Sequence, residues 1–144
     1  MFTPSNNKIL VSDVMMTPGQ FAVIKQTTLL KEALEDMGKY SLGIVCIVDN
    51  ENKLCGILTD GDIRRKLLKV QKPFSAFFVD DVSIHSIGKP VCCKANDSLN
   101  TVVSIMGEKK VWDLPVIDKD QKLLGLLHLH PAVKVLLEKF EENT

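Results

Sequence analysis

Hydrophobic and polar positions follow one another along this chain in an order that predicts alternating strands and helices. Residues 44–48 and 54–58 are apolar runs, and the polar residues 50–53 between them are typical of a turn that joins two strands. Before the first run, apolar residues recur at helical spacing, at Leu30, Ala33, Leu34 and Met37. With a strand at 21–25 and an amphipathic stretch after residue 60, the pattern predicts the order β-α-β-β-α.

The same order is repeated in the second half of the chain. Asp49 and Gly56 recur as Asp118 and Gly125, and both pairs are 69 residues apart. Residues 90–93 match the opening strand. The apolar positions of the two matching helices are Leu99, Val102, Val103 and Met106, then Val133, Leu136, Leu137 and Phe140. We therefore predict an α+β fold of two tandem β-α-β-β-α repeats, at 8–70 and 79–140, with a linker at 71–78.

Neither repeat alone has enough apolar residues for a sizeable core, so the two are expected to pack on each other through their sheets. Short polar side chains are favoured at helix starts. We therefore expect Thr27 and Thr28 to cap the first helix, and residues 96–98 to cap its counterpart in the second repeat.

The composition excludes several classes of function. The 144 residues carry 18 basic and 18 acidic side chains, and the lack of a basic excess argues against a nucleic-acid-binding protein. No apolar run reaches the roughly 18–20 residues of a membrane span, and residues 1–7 lack an apolar signal segment. We expect a soluble, cytoplasmic protein that binds neither nucleic acid nor a membrane.

The four cysteines are Cys46, Cys55, Cys92 and Cys93, and none of them forms a pair at the spacing of a zinc site. Because free cysteine is commonly buried, we expect these thiols to act as small apolar side chains and to bind no metal.

The end of the third predicted strand carries the most specific motif, Gly56-Ile57-Leu58-Thr59-Asp60-Gly61-Asp62-Ile63. Within a tandem β-α-β-β-α repeat, this segment resembles a pair of cystathionine-β-synthase (CBS) domains, known as a Bateman module, over about residues 8–140. Residues 59–65 and 127–130 further resemble the CBS pair at the carboxyl end of bacterial arabinose-5-phosphate isomerases. The sugar-isomerase domain that precedes the pair in those enzymes has no counterpart in this sequence.

The residues after that strand also have the chemistry of a nucleotide site. A helix that begins at about Asp60 presents unpaired N–H groups, which favour an anion such as phosphate. The Thr59 hydroxyl can donate to a phosphate oxygen, and the Asp62 carboxylate can accept from two ribose hydroxyls. Gly61 lets the backbone approach a ligand closely. The resemblance implies the same roles, since the matching positions of Thr59 and Asp62 commonly hold phosphate and ribose.

These residues have a structural interpretation as well. A threonine followed three residues later by an acidic residue is close to a capping box, which needs no ligand. Arg64 and Arg65 add positive charge one turn after the phosphate position, and they are also typical of a solvated helix face. The two roles can coexist. The candidate ligand-binding residues of the first repeat are Thr59, Asp60, Gly61, Asp62, Arg64 and Arg65.

The second repeat departs from the motif. His128 and Pro131 stand where the first repeat has Thr59 and Asp62, and proline cannot accept a bond from ribose hydroxyls. Pro131 fits the first position of the final helix. His128 and His130 alternate along the predicted strand, so both rings are expected on one side of it. We include both histidines as candidate ligand contacts, with a purely structural role as the alternative, and expect no metal site.

No nucleophile motif, Walker loop or dinucleotide fingerprint is present, so we expect no enzymatic activity in this chain. The resemblance implies a regulatory module that senses AMP, ADP, ATP or CMP-Kdo, requires no cofactor and controls a sugar-phosphate isomerase, either as a domain or as a partner enzyme. Two alternatives stay open. The chain can be a ligand-free dimerisation module, or the non-catalytic fragment of an arabinose-5-phosphate isomerase.

The resemblance also implies a homodimer. The candidate residues for the seam between two copies are Leu30, Leu34 and Met37, or Leu99 and Val103. Trp112 precedes the strand at 114, and its indole is expected in the core, in a subunit interface or stacked on a base.

Overall fold

The first repeat forms the five predicted elements. The computed structural model describes residues 8–142 and contains β1 (Ala22–Lys25), α1 (Leu30–Tyr40), β2 (Ile44–Val48), β3 (Leu54–Thr59) and α2 (Asp60–Lys69). β2 is the centre of a three-stranded sheet, parallel to β1 and antiparallel to β3. Two short helices follow, α3 (Phe74–Phe78) and α4 (Val82–His85).

The second repeat contains α5 (Leu99–Lys109), β4 (Asp113–Ile117), β5 (Leu123–His128) and α6 (Leu129–Glu142). The predicted strand at 90–93 is wrong, because only Cys93 pairs with the sheet, in a single bridge to Val116. The Cys93 N–H donates to the Pro115 carbonyl at 3.0 Å. If the strand continued toward residue 90, the next hydrogen bond of the parallel ladder would be donated by the N–H of residue 115. Proline has no N–H, so the ladder stops there.

The leading segments of the two repeats are exchanged in space. Val11 lies in a core with α5, β4 and α6 of the second repeat, while Phe77 and Val82 lie in the core of the first. α3 therefore packs with the first repeat although it falls in the predicted linker. The division of the chain at 71–78 stays a prediction about the sequence.

This exchange also explains why the predicted threonine caps are wrong. The residue before α1 is Leu29, which makes no side-chain capping bond, and Ser98 before α5 makes none either. Instead, the Leu30 N–H donates to the Asp80 carbonyl at 2.9 Å, and the Leu99 N–H donates to the Ile9 carbonyl at 2.9 Å. Backbone carbonyls of the exchanged segments thus satisfy the helix starts.

The exchanged segments also lie against the last strand of each sheet. Ile87 and Ile57 exchange two backbone hydrogen bonds, of 2.8 and 3.0 Å, and Met16 pairs with Leu126 in the same way. A Cβ on Gly56 would stand 2.6 Å from the Ile87 carbonyl oxygen. A Cβ on Gly125 would likewise contact the Met16 carbonyl oxygen. The repeated glycine is therefore required by the close approach of two backbones.

A third core joins the two repeats and confirms that they pack through their sheets. Its buried residues come from both sheets and from the residue before β1, namely Phe21, Ile44, Cys46, Val48, Leu123 and Leu126. Backbone bonds reinforce the contact, since the Leu54 N–H donates to the Gln121 carbonyl at 2.9 Å. No helix among the described residues combines the length and apolar character needed to cross a bilayer.

The cysteines are free thiols within the described range. Cys46 and Cys93 are buried, and Cys55 and Cys92 are half-buried. Burial raises the pKa of the Cys93 thiol to about 12 and strongly raises that of Cys46, so both side chains stay neutral. Among residues 8–142, no three His, Cys, Asp or Glu side chains are placed to hold a metal ion.

Candidate functional site

Thr59 and Asp62 form a closed capping box where β3 runs into α2. Thr59 Oγ1 accepts a bond from the Asp62 N–H at 3.2 Å, and Asp62 Oδ2 accepts from the Thr59 N–H at 3.1 Å. The Thr59 hydroxyl also donates to Asp62 Oδ2 at 2.8 Å. The turn from strand to helix is therefore fixed by side chains of the motif itself.

Arg65 completes this arrangement one turn into α2. Its guanidinium donates to Asp62 Oδ1 at 2.7 Å, where the Asp62 side chain is only 12% exposed. Burial opposes ionisation of this carboxyl, but the bonds from Arg65 and Thr59 outweigh burial and hold its pKa below the usual value. A Cβ on Gly61 would lie 3.3 Å from the Arg65 guanidinium, so glycine leaves room for Arg65 to fold back over the helix start.

Asp60 lies on the other side of the same turn, against Gly43. Its N–H donates to the Gly43 carbonyl at 3.0 Å, and its Oδ1 accepts from the Gly61 N–H at 2.8 Å. A Cβ on Gly43 would stand 2.6 Å from Asp60 Oδ2. Gly43 was not among the residues predicted from the sequence. The signal was its position just before β2, where the matching residue of the second repeat is Trp112.

The six candidate residues of the first repeat share one turn, but they are not equivalent. Arg64 is exposed, and no hydrogen bond or ion pair joins it to another described residue. Three N–H groups at the start of α2, those of Asp60, Gly61 and Asp62, already have partners in the chain. The positive charge at this turn comes from the Arg65 guanidinium, which is paired with Asp62, and from the dipole of the ten-residue helix.

The second repeat has a different pair at the matching position. His128 Nδ1 lies 2.7 Å from Oδ1 of Asp113, whose side chain is 9% exposed. Burial raises the pKa of the Asp113 carboxyl, and the nearby Asp60 carboxylate raises it further. The bond to His128 lowers this pKa but does not cancel the increase. Asp113 was also missed. The register of the β4–β5 hairpin pairs it with His128, and that register was the available signal.

His130 does not share a strand face with His128, so that expectation is wrong. β5 ends at His128 and α6 begins at Leu129, which places His130 in the first turn of the helix. Pro131 is the third residue of α6, not the first. Its missing N–H costs no bond there, because the first four N–H groups of a helix have no partner within it.

Trp112 lies at the surface, since its side chain is 68% exposed, and this excludes a place in the core. Together with His130 and the outer residues of α6, it lines a groove of about 400 Å³.

Comparison with known proteins identifies the repeats. A family model described as CBS domain matches residues 11–69 and 79–130. The arabinose 5-phosphate isomerase KdsD of Yersinia pestis is 32% identical over 124 residues, which cover 86% of this chain and 36% of that protein. The inosine-5'-monophosphate dehydrogenase of Aquifex aeolicus is 34% identical over 112 residues, 77% of this chain and 21% of that enzyme.

Among solved structures, the complex of CBSX2 with AMP matches with a TM-score of 0.78 at 26% identity. The match covers 90% of this chain and 96% of that one. The chain spans between 21% and 38% of the length of the curated relatives named first among its matches.

Proposed function

Because this chain belongs to the CBS domain family, we propose that it is a regulatory module that binds an adenine nucleotide at the start of α2. The observation that carries the proposal is the turn formed by Thr59, Asp62 and Arg65, which combines an ionised carboxylate with a guanidinium. The similarity to CBSX2, which was solved with AMP, supports the choice of ligand.

The two halves of such a ligand suit the two charges of this turn. Asp62 Oδ1 accepts from the ribose hydroxyls in place of Arg65. The released guanidinium then binds the phosphate, with the Thr59 hydroxyl beside it. Because the first three N–H groups of α2 already have partners, the phosphate depends mainly on Arg65 and on the helix dipole.

Replacement of Asp62 by alanine tests this proposal. The variant leaves two ribose hydroxyls without their acceptor, so affinity should fall by about 1–3 kcal/mol, or roughly 5- to 150-fold. The measurement is isothermal titration with AMP, ADP, ATP and CMP-Kdo.

Asp13→Ala is the matched control, because Asp13 Oδ2 accepts the Leu10 N–H at 2.8 Å, a capping bond of the same kind outside α2. Its affinity should equal that of the wild type. If AMP, ADP and ATP all fail to bind the wild type, or if folded Asp62→Ala binds as tightly as the wild type, the proposal is wrong.

The controlled enzyme, in this proposal, is a sugar-phosphate isomerase. The support is the 32% identity to KdsD over most of this chain. Nucleotide-dependent turnover of arabinose 5-phosphate by the isomerase joined to this module is the readout. His128 and His130 stay predicted ligand contacts on the side of the second repeat.

A homodimer is the second part of the proposal, because large apolar side chains are exposed on the closing helices. The residues predicted for the seam do not fit, since Leu30, Met37 and Leu99 are buried in the cores of their own repeats. Leu34 and Val103 are half-buried. The exposed residues on α2 and α6 are Leu67, Leu68, Leu137 and Phe140.

A further inference from the structure

The Arg65 guanidinium lies folded back over the start of α2, where the ribose and phosphate of a ligand are proposed to bind. Arg65 belongs to the second turn of the helix, and its side chain is 57% exposed, yet it donates to Asp62 Oδ1 at 2.7 Å. A Cβ on Gly61 would stand 3.3 Å from both terminal nitrogens of the guanidinium. The group therefore lies against the Gly61 backbone, and the absence of a side chain at residue 61 makes room for it.

The start of a helix is an unfavourable place for a cation. It carries the positive end of the helix dipole, which stabilises anions and destabilises positive side chains. Lys66 and Lys69 lie in the last turn of α2, at the end where a cation is favoured. Arg65 is held at the opposite end by its bond to Asp62. An anion bound beside the guanidinium would offset this unfavourable charge.

The Asp62 carboxylate has few acceptor sites left for a ligand. Each carboxylate oxygen accepts about two hydrogen bonds. Oδ2 already accepts from the Thr59 N–H at 3.1 Å and from the Thr59 hydroxyl at 2.8 Å. Oδ1 accepts from Arg65, which leaves one site on Oδ1 for a sugar that has two neighbouring hydroxyls. Both hydroxyls therefore bind Oδ1 only when Arg65 leaves it.

We infer that Arg65 is an internal competitor of the ribose, and that a ligand displaces it from Asp62 only by supplying a phosphate. This inference rests on the proposed nucleotide site and adds the class of ligand that the site selects. A nucleoside brings the two hydroxyls but no anion, so the displaced guanidinium loses its carboxylate and stays beside the positive end of α2. A nucleotide offers a phosphate in exchange for the carboxylate. The site thus selects nucleoside phosphates and rejects nucleosides.

Titration calorimetry with AMP and with adenosine tests this selection, because the two ligands differ only in the phosphate. The wild type should bind AMP more tightly than adenosine by about tenfold or more. Arg65→Met keeps the stem of the side chain but removes its charge and its donors. This variant should bind AMP roughly tenfold more weakly than the wild type and should bind adenosine more tightly, since nothing competes with the ribose for Asp62. A damaged fold would not produce a gain in affinity for adenosine.

Lys69→Met is the matched control, because it removes the same charge from the exposed last turn of α2 and should keep both affinities of the wild type. Equal affinity of the wild type for AMP and adenosine would overturn this inference and leave nucleotide binding in place. An Arg65→Met variant that binds adenosine no better than the wild type would also overturn it, because Arg65 would then not compete for Asp62. A wild type that binds neither ligand would overturn the proposed AMP site and this inference with it.

Discussion

At the scale of single residues, the turn at Thr59 has a structural role and a proposed ligand role in the same atoms. Asp62 satisfies the Thr59 N–H and holds Arg65. The motif and its capping box were predictable from sequence, because Thr59 and Asp62 are three residues apart. The position of Asp60 against Gly43 was not, because it depends on how α2 leaves the sheet.

Replacement of Thr59 by valine isolates the structural role. It keeps the shape of the side chain but removes the two hydrogen bonds that the Thr59 hydroxyl makes with Asp62, so the free energy of unfolding should fall by about 0.5–2 kcal/mol. Ser98→Ala is the control, because Ser98 precedes α5 without a side-chain capping bond and should cost little. Urea unfolding measures both. Equal losses in the two variants would mean that the Thr59 bonds add no stability.

A half-buried cluster of Lys72, Asp80 and His85 makes the stability of the fold depend on pH. Asp80 Oδ2 accepts from Lys72 Nζ at 2.7 Å and lies 2.8 Å from His85 Nε2. The bonds from Lys72 and His85 lower the pKa of Asp80 from its ordinary 3.8. A carboxyl with a lowered pKa contributes stability that is fully present above the ordinary value. That contribution is lost as the pH falls through the lowered pKa of the folded state.

We therefore expect Asp80→Asn to be less stable than the wild type at neutral pH and to lose less stability on acidification. Unfolding between about pH 3 and pH 7 measures this difference. Asp81→Asn is the control, since Asp81 precedes α4 without a side-chain capping bond and should keep the wild-type profile. An Asp80→Asn profile parallel to that of the wild type would contradict the assignment.

At the scale of elements, local pattern predicted β2, β3, α1 and their counterparts, because these carry strong periodicity over five or more residues. The strand at 90–93 failed because its partner strand contains Pro115, a constraint that lies outside the segment itself. The predicted caps failed for a related reason. The carbonyls of Ile9 and Asp80, distant in sequence, satisfy the helix starts instead of the nearby threonines.

The close approach of the exchanged segment to β3 predicts the effect of a single methyl group. Gly56→Ala places its Cβ against the Ile87 carbonyl, so the backbones must separate and the unfolding free energy should fall by more than about 1 kcal/mol. Gly38→Ala is the matched control within α1. Nothing lies within 4 Å of its Cβ, and it should gain about 0.5–1 kcal/mol from helix propensity. Equal effects in the two variants would contradict the close approach.

At the scale of the whole molecule, the two repeats share a fold but differ in their chemistry. The shift of 69 residues already showed that Pro131 replaces Asp62. It did not show that His128 pairs with Asp113, or that Asp60 of the first repeat lies near that pair. Such contacts between repeats depend on how the sheets pack. The central claim is therefore that only the first repeat binds a nucleotide.

Calorimetric stoichiometry with AMP tests that claim most directly. We expect one nucleotide per chain in the wild type, because Pro131 of the second repeat offers no acceptor for ribose hydroxyls. The same titration of Asp62→Ala should lose most of the heat at that single site. Two equal sites per chain, or one site that Asp62→Ala leaves unchanged, would contradict the account.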